Sequence, residues 1–118
     1  MRTPMHPARA DLSLANVLYA LGDPIRLKVV TELAATEEGD SCQHIVAGMN
    51  VAKATQSHHF KVLREAGVLR MEPQGRRLLV RLRRDDLEAR FPGLLDAILH
   101  SCQKNPEILP LTNEKAPV

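Results

Sequence analysis

The chain has 118 residues, a length typical of one compact domain, and its 44% hydrophobic and 25% charged residues are ordinary for a globular protein. Aromatic residues make up only 3%, which argues against a sugar-stacking platform, an aromatic cage or a sheet that stacks single-stranded bases. Two cysteines are too few for a disulfide-framed secreted fold, and no apolar run approaches the roughly 20 residues that span a bilayer. Because no apolar leader follows Met1, we expect a cytoplasmic protein without a membrane partner.

Positive charge is concentrated in one part of the chain. The net charge is only +2, yet nine Lys and Arg residues and two Glu residues between positions 53 and 84 give that stretch +7 and leave −5 for the rest. Such asymmetry is typical of a protein that binds a polyanion, although a solvated basic face is the alternative. The cations are Lys53, Lys61, Arg64, Arg70, Arg76, Arg77, Arg81, Arg83 and Arg84.

Apolar residues at helical spacing predict four helices in the first two thirds of the chain. The second helix follows Asp23, which is expected to cap it, with Pro24 at its first helical position. Asp40 or Ser41 is expected to cap a short third helix, and Gly67 suits the left-handed position after the fourth. The predicted helices span residues 11–22, 24–34, 42–49 and 52–66.

A β-hairpin and a last helix are predicted next. Leu78, Val80 and Leu82 alternate with Arg77, Leu79 and Arg81 as in a half-buried strand, after a turn at residues 73–75. Asp85 or Asp86 is expected to cap a further turn, and Pro92 to restart a last helix. The fold class is therefore mainly α with a small β-hairpin, a winged helix-turn-helix in the order α-α-α-α-β-β-α. Its predicted limits are residues 11–104, between a flexible arm at 1–10 and a flexible tail at 105–118.

The fourth helix would be the recognition helix, since the second helix of such a motif lies in the DNA major groove. A helical wheel with 100° per residue places six residues on the core side of this helix: Ala52, Thr55, His59, Val62, Leu63 and Ala66. Base-reading contacts are predicted for five residues at the polar N-terminal end of the helix: Lys53, Thr55, Gln56, Ser57 and His58. Thr55 is therefore assigned both to the core side and to the base-reading residues. Gln56 is suited to a bidentate contact with adenine.

Cations farther along the helix and on the hairpin are predicted to contact phosphate. Lys61 and Arg64 follow the base-reading end of the helix, and Arg76 and Arg77 lie at the tip of the wing. Adjacent arginines on a turn beside a recognition helix favour a phosphate or minor-groove contact over a purely solubilising role. The sequence therefore predicts a double-stranded DNA partner.

Three segments together resemble the ArsR-type family of bacterial winged-helix repressors: Leu21-Gly-Asp-Pro-Ile-Arg-Leu27, Ala54-Thr-Gln-Ser-His-His-Phe-Lys-Val-Leu-Arg-Glu-Ala-Gly-Val-Leu69 and Gly75-Arg-Arg77. The resemblance covers about residues 11–102. It implies a homodimer, paired through the first and last helices, that represses genes from an inverted-repeat operator until an inducer binds. The residues expected at the dimer interface are Leu14, Leu18, Leu94, Leu95, Ile98 and Leu99.

The double histidine suggests either a metal or catalytic pair or a structural role. Adjacent residues on a helix point about 100° apart, so His58 and His59 are poorly placed to share one ion. His59 falls on the core side and is expected to be a hydrogen-bonded packing histidine, with His58 next to DNA.

Metal sites of the resembling family are only partly matched. The arsenical type has a Cys-x-Cys pair before the recognition helix, where this chain has Cys42 and His44. The zinc type has an Asp-x-His pattern on the last helix, whereas Asp96 and His100 here are four residues apart. We therefore expect no metal and no cofactor, with a site of Cys42, His44, Asp96 and His100 completed across a dimer as the less favoured alternative.

The sequence leaves open how the protein is regulated and which of several functions it has. Cys42 and Cys102 could form a thiol-based sensor, but packing as small buried hydrophobes is favoured, and the inducer is not identified. A nonspecific architectural DNA binder and a protein-interaction module are the alternatives from other classes. No Gly-rich phosphate loop, His-Glu-x-x-His motif or nucleophile elbow occurs, so no enzyme is predicted.

Overall fold

The computed structural model describes residues 5–109, in which six α-helices surround a small antiparallel sheet. Two 3-10 turns, Arg9–Asp11 and Pro106–Ile108, flank the helical domain. The helices are α1 (Leu14–Leu21), α2 (Pro24–Ala34), α3 (Cys42–Ile45), α4 (Lys53–Ala66), α5 (Arg84–Arg90) and α6 (Leu94–Lys104). The strands are β1 (Asp40–Ser41), β2 (Leu69–Gln74) and β3 (Arg77–Leu82). None of the helices in this part of the chain is long and apolar enough to cross a membrane.

Most helix ends are set by the residues that the sequence predicts. The Asp23 carboxylate accepts hydrogen bonds from the backbone N–H groups of Ile25 (2.9 Å) and Arg26 (3.1 Å), which satisfies the free donors at the start of α2. Ser41 caps α3 in the same way. Gly67 ends α4 with φ of 85°, the left-handed conformation that glycine adopts without strain.

Two helix boundaries differ from the prediction. Helix α1 begins at Leu14 rather than residue 11, because Ser13 caps it and residues 9–11 form a separate 3-10 turn. Helix α3 ends at Ile45 rather than near residue 49. Gly48 there has φ of 84°, a left-handed backbone that cannot continue a right-handed helix.

The sheet has the order β1-β3-β2, with both pairs antiparallel. Strands β2 and β3 pair from Leu69 opposite Leu82 to Gln74 opposite Arg77, so the turn is Gly75–Arg76 and not residues 73–75. The two-residue strand β1, which pairs with Val80 and Leu79, was not predicted because it is too short to show a period of two.

Helix α5 is a separate helix of seven residues where the sequence predicted only a further turn. Asp85 and Asp86 lie in its first turn and are not caps, because the capping position belongs to Arg83. Asp86 instead accepts hydrogen bonds from Arg9 Nε (2.6 Å) and Arg83 Nε (2.8 Å). These two bonds connect the 3-10 turn before α1 to the end of β3.

The N-terminal segment lies against the sheet and the end of α4. His6 Nε2 accepts a hydrogen bond from the backbone N–H of Met71 (2.9 Å) on the edge strand β2. Arg83 Nη1 donates to the carbonyl of Pro7 (2.8 Å), and Arg64 donates to the carbonyl of Met5. Flexibility of residues 1–10 and 105–118 stays a prediction, and residues 1–4 and 110–118 lie outside the described part of the chain.

The hydrophobic core joins α1, α2 and α4 to the inner face of the sheet. Its largest fully buried side chains include members of all these layers: Val17, Val29, Val30, Leu33, Leu63, Leu69 and Val80. Burial at this scale stabilises the fold by roughly 1.5–3 kcal/mol for each such aliphatic side chain relative to full exposure. The result is a rigid support that presents α4 and the hairpin on one side of the domain.

Candidate nucleic-acid interface

A groove of about 430 Å³ runs between α4, the start of α3 and the hairpin, and we call it the α4–wing groove. Five cationic side chains line it, and no carboxylate does: Lys53, Lys61, Arg64, Arg76 and Arg77. The other residues that line it are Ser41, Cys42, Gln43, Gln56, Ser57, Phe60, Met71 and Leu78. A concave surface with one sign of charge concentrates an anionic partner.

The exposed face of α4 carries most of the predicted base-reading residues. Lys53, Thr55, Ser57 and His58 are exposed, and so is Lys61 one turn farther along. Lys53, Ser57 and Lys61 line the α4–wing groove together, whereas Thr55 and His58 are exposed on α4 outside its lining.

The buried face of α4 is rotated from the predicted one. The side chains that face the core are His59, Phe60, Leu63 and Ala66, whereas Ala52 and Thr55 are exposed. The reason is the large ring of Phe60, which removes more apolar surface from water than Ala52 and Thr55 together can. The core assignment of Ala52 and Thr55 was therefore wrong, and Thr55 lies on the open side.

Gln56 has a local partner that the sequence did not predict. Its side-chain amide Nε2 donates a hydrogen bond of 2.8 Å to the carbonyl of Val51, in the turn before α4. A bidentate contact to adenine needs both the amide nitrogen and the amide oxygen. In this structure the nitrogen already stabilises the turn.

The cations that are predicted to contact phosphate differ in their exposure and in their internal partners. Within residues 5–109, Lys61, Arg76 and Arg77 are exposed and form no ion pair. Arg64 is half-buried and donates to the carbonyl of Met5. Three of the four side chains are thus available to a phosphate, and the fourth is shared with the N-terminal segment.

His59 is the packing histidine that the sequence predicted. It is 7% exposed, and its Nδ1 lies 3.1 Å from Nη1 of Arg26 on α2. Since a guanidinium can only donate, Nδ1 is the acceptor and the ring is neutral. Burial lowers the pKa of His59, while the nearby Asp23 raises it and Arg26 lowers it.

Arg26 connects α4 to the end of α1. This buried guanidinium donates from Nε to the carbonyl of Ala20 (2.6 Å) and from Nη2 to that of Tyr19 (3.4 Å). It also lies 5.6 Å from the centre of the Tyr19 ring. Arg26 was not singled out from the sequence, although its place in the segment 21–27, directly after a capped helix start, is a signal that could have identified it.

The structure keeps the two cysteines on different surfaces. Cys42 is a free thiol that lines the α4–wing groove, and Cys102 is a buried residue of α6 that lines a different groove with Leu18 and Ile98. Burial raises the pKa of Cys42 to about 11, so the thiolate is scarce at neutral pH. The lowered pKa expected for an exposed thiol at a helix N-terminus does not apply, because Cys42 is half-buried.

The residues considered as metal ligands do not cluster. Within residues 5–109, no group of three or more His, Cys, Asp or Glu side chains is arranged to hold an ion. His44 Nδ1 is paired with Asp40, which lowers the pKa of Asp40. Asp96 and His100 are exposed on α6.

The expected dimer residues fall into three classes of exposure. Leu14 and Leu18 are 47% and 48% exposed on α1. Leu94, Ile98 and Leu99 are half-buried. Leu95 is only 7% exposed and belongs to the core of its own chain, so it is not available to a partner.

Comparisons with known proteins agree with this geometry. A family model described as a helix-turn-helix domain matches residues 21–72. The HTH-type transcriptional regulator YceK of Bacillus subtilis is 34% identical over 88 residues, which cover 75% of this chain and 88% of that protein. The HTH-type transcriptional repressor SmtB of Mycobacterium tuberculosis is 35% identical over 100 residues, 83% of this chain and 70% of the relative. The chain belongs to the ArsR/SmtB-type family of winged helix-turn-helix regulators.

Solved structures show the same fold for this ArsR/SmtB-type regulator. The transcriptional repressor BigR from Xylella fastidiosa superposes with a TM-score of 0.58 at 26% identity, over 75% of this chain and 84% of that one. An ArsR family regulator, RHA00566, superposes with a TM-score of 0.59 at 22% identity, over 80% and 96%. The protein is thus a DNA-binding transcriptional regulator of a repressor family, and this family consists of regulators rather than enzymes.

Proposed function

We propose that this regulator is a homodimeric repressor that binds an inverted-repeat operator with α4 in the major groove and leaves it when an inducer binds. The observation that carries the proposal is the α4–wing groove, in which three cations of α4 and two of the hairpin, with no carboxylate, lie beside short polar side chains. Phosphate contacts orient a protein on the duplex, and base contacts give it sequence preference. The α4–wing groove contains cations suited to phosphate contacts and short polar side chains suited to base contacts.

Base reading is assigned to the exposed N-terminal half of α4. Ser57 is the central candidate, because a hydroxyl can donate to or accept from a base edge and this one lines the groove. Lys53 lines the same groove, and Thr55 and His58 are exposed on α4 outside its lining. Gln56 contributes by holding the turn at Val51. This bond sets the angle at which α4 enters the major groove of the DNA.

Phosphate contacts are assigned to Lys61 and to the wing arginines Arg76 and Arg77. Their exposure and their lack of an ion pair within residues 5–109 mean that no internal partner must be given up when DNA binds. Arg64 is a fourth cation in the groove, whose contact with Met5 competes with phosphate.

The dimer is assigned to an apolar surface of α1, α2 and α6 that shares no residue with the α4–wing groove. Leu14, Leu18 and the 69% exposed Tyr19 project from α1. Beside them, a groove of about 340 Å³ between α1, α2 and α6 is lined mostly by apolar side chains that include Leu27, Ala97 and Ile98. A second copy of the same surface would cover this area, and a two-fold dimer places two recognition helices on a palindromic site.

The test is a footprint on duplexes selected by the protein from a random-sequence pool. A homodimer predicts two related half-sites in inverted orientation, with centres about one DNA turn apart, and cooperative loss of binding when either half-site is scrambled. A single protected half-site, or uniform protection of every duplex in the pool, would contradict the proposal. Uniform protection would favour the architectural alternative.

A further inference from the structure

We propose that an open cleft at the base of the wing binds a small anion of the phosphate class. The cleft has a volume of about 390 Å³ and lies between the 3-10 turn that contains Arg9, the outer face of β2 and β3, and the start of α5. Five arginines and three carboxylates line it: Arg9, Arg70, Arg81, Arg83, Arg84, Glu37, Asp85 and Asp86. We call it the arginine cleft. It is separate from the α4–wing groove and does not depend on the proposed operator.

Two of these arginines face each other across the hairpin. Arg70 on β2 and Arg81 on β3 are register partners, so their side chains leave the same face of the sheet. Like charges placed directly opposite on neighbouring strands are unfavourable. Arg81 Nη2 is partly neutralised by Glu72 Oε1 at 3.0 Å, but Arg70 forms no hydrogen bond or ion pair through its side chain within residues 5–109. An oxyanion between them would remove the repulsion.

The rest of the cleft is already ordered by internal contacts. Arg83 is 6% exposed and donates to Asp86 and to the carbonyl of Pro7, both at 2.8 Å. Arg9 donates to the same carboxylate, and Arg84 Nη2 donates to the carbonyl of Ala34 (2.7 Å). Each guanidinium has five donors, so Arg9 and Arg84 keep N–H groups for a ligand, while the buried Arg83 holds the surrounding contacts in place. Planar guanidinium groups bind phosphate or carboxylate oxygens bidentately, and prior ordering reduces the entropy lost on binding.

The position and charge of the cleft favour a small anion over the DNA backbone. Arg70 precedes Gly75 of the wing turn by five residues, which is about 16 Å along an extended strand. The carboxylates Glu37, Asp85 and Asp86 reduce the charge of the cleft to a net +2, whereas no carboxylate lines the α4–wing groove. A polyanion would meet these carboxylates, but a compact oxyanion can bind between the arginines alone.

The experiment is isothermal titration of the full chain with inorganic pyrophosphate, without DNA or divalent cations and at constant ionic strength. We expect binding by the wild type, and at least a tenfold weaker affinity in Arg70→Ala and in Arg81→Ala. The matched control is Lys104→Ala, which removes an exposed cation of α6 outside both the arginine cleft and the α4–wing groove and should leave the affinity within twofold. Arg70→Lys keeps the charge but loses the bidentate geometry, so its affinity should fall between those of Arg70→Ala and the wild type.

Several results would overturn the proposal. These are no heat of binding with the wild type, an equal loss of affinity in Arg70→Ala and Lys104→Ala, or unchanged affinity in Arg70→Ala. Since Arg70 has no side-chain partner within residues 5–109, that variant should fold normally, which a circular dichroism melt checks. A parallel titration with DNA distinguishes the two sources of phosphate. A lower salt dependence of DNA binding in Arg70→Ala, without pyrophosphate binding by the wild type, would assign the cleft to the DNA backbone and overturn the proposal.

Discussion

Arg26 Nη1 and His59 Nδ1 lie 3.1 Å apart in the interior of the domain, and their contact joins the N-terminal turn of α2 to the core side of the recognition helix. The same guanidinium holds the last carbonyls of α1, the helix assigned to the dimer interface. The orientation of α4 is thus fixed by a polar contact as well as by apolar packing. A buried donor that loses its acceptor costs about 1–3 kcal/mol, so the neutral state of His59 matters for stability.

Stability should fall on mild acidification because of His59. In the unfolded chain this imidazole takes up a proton near its usual pKa of 6.5, whereas its lowered pKa keeps it neutral in the folded chain. The unfolded state then binds more protons. The contribution of His59 to the free energy of unfolding is therefore complete above about pH 6.5 and decreases below it. The pKa of His6 is also lowered, chiefly by burial and then by Arg70, and acts in the same direction.

Chemical denaturation between about pH 7.5 and 5 measures this effect. His59→Gln keeps an acceptor for Arg26 but cannot titrate, so its free energy of unfolding should depend less on pH than that of the wild type. His58→Gln is the matched control, because His58 is the exposed neighbour on the same helix. Identical pH dependence in the wild type and His59→Gln would show that the Arg26–His59 contact does not control the titration.

The N-terminal segment should contribute to stability through its contact with the end of α4. A Cβ atom added at Gly67 would lie 2.0 Å from Cδ2 of Leu12, a side chain that is only 2% exposed and has little room to move. Gly67→Ala should therefore cost more than the roughly 1–2 kcal/mol that a left-handed alanine costs by itself.

Gly75→Ala provides the control for this measurement. Gly75 also has a positive φ, of 64°, but an added Cβ would meet nothing within 4 Å. Urea denaturation of the two variants then isolates the steric part of the effect. Equal losses of stability would mean that residues 5–12 do not pack against Gly67 in solution.

Association should depend on α1 and not on Leu95. Aspartate at both Leu14 and Leu18 should give a folded monomer, because these side chains are about half exposed and neither belongs to the hydrophobic core. Leu95→Asp should instead unfold the chain, since it places a charge in the core. Sedimentation velocity and circular dichroism distinguish the two outcomes, with Ala89→Asp on the exposed side of α5 as control. A dimer that persists in the Leu14→Asp/Leu18→Asp variant would place the interface elsewhere.

The two cysteines should not act as a redox pair. With the pKa of Cys42 raised to about 11 and Cys102 buried, both thiols should react slowly with iodoacetamide at neutral pH. We expect a Cys42→Ser/Cys102→Ser variant to bind DNA, and a mild oxidant to change wild-type affinity less than tenfold, or about 1.4 kcal/mol. A larger loss in the wild type that is absent from the double variant would make the protein a thiol-based switch.

Much of the fold was predictable because local signals agreed with each other. Asp23 with Pro24, Ser41 and Gly67 each fix a helix end through their own backbone or side chain, so their effects are visible in the sequence. The face of α4 was less predictable, because it depends on how Phe60 competes with Thr55 for the interior. That competition is decided by tertiary packing.

The site was predictable in composition but not in its contacts. Exposure of Ser57, Lys61, Arg76 and Arg77 follows from helical and hairpin periodicity. The bond from Gln56 to Val51 and the contacts of Arg64 and Arg26 depend on segments that fold next to them, five to dozens of residues away. Gln56→Ala is consequently expected to weaken binding through a loosened turn rather than through a lost adenine contact.

The most direct test of the account compares Ser57→Ala with Lys61→Ala on a selected duplex and on random duplex, over a range of salt concentrations. Both side chains lie on the same exposed face of α4, so the pair separates base reading from phosphate contact. We predict that Ser57→Ala loses about 1–3 kcal/mol on the selected duplex alone. We predict that Lys61→Ala weakens both duplexes alike and lowers the salt slope by about one. Equal losses on both duplexes for Ser57→Ala, with no change in the salt slope for Lys61→Ala, would contradict the assignment of α4 as the helix that reads DNA.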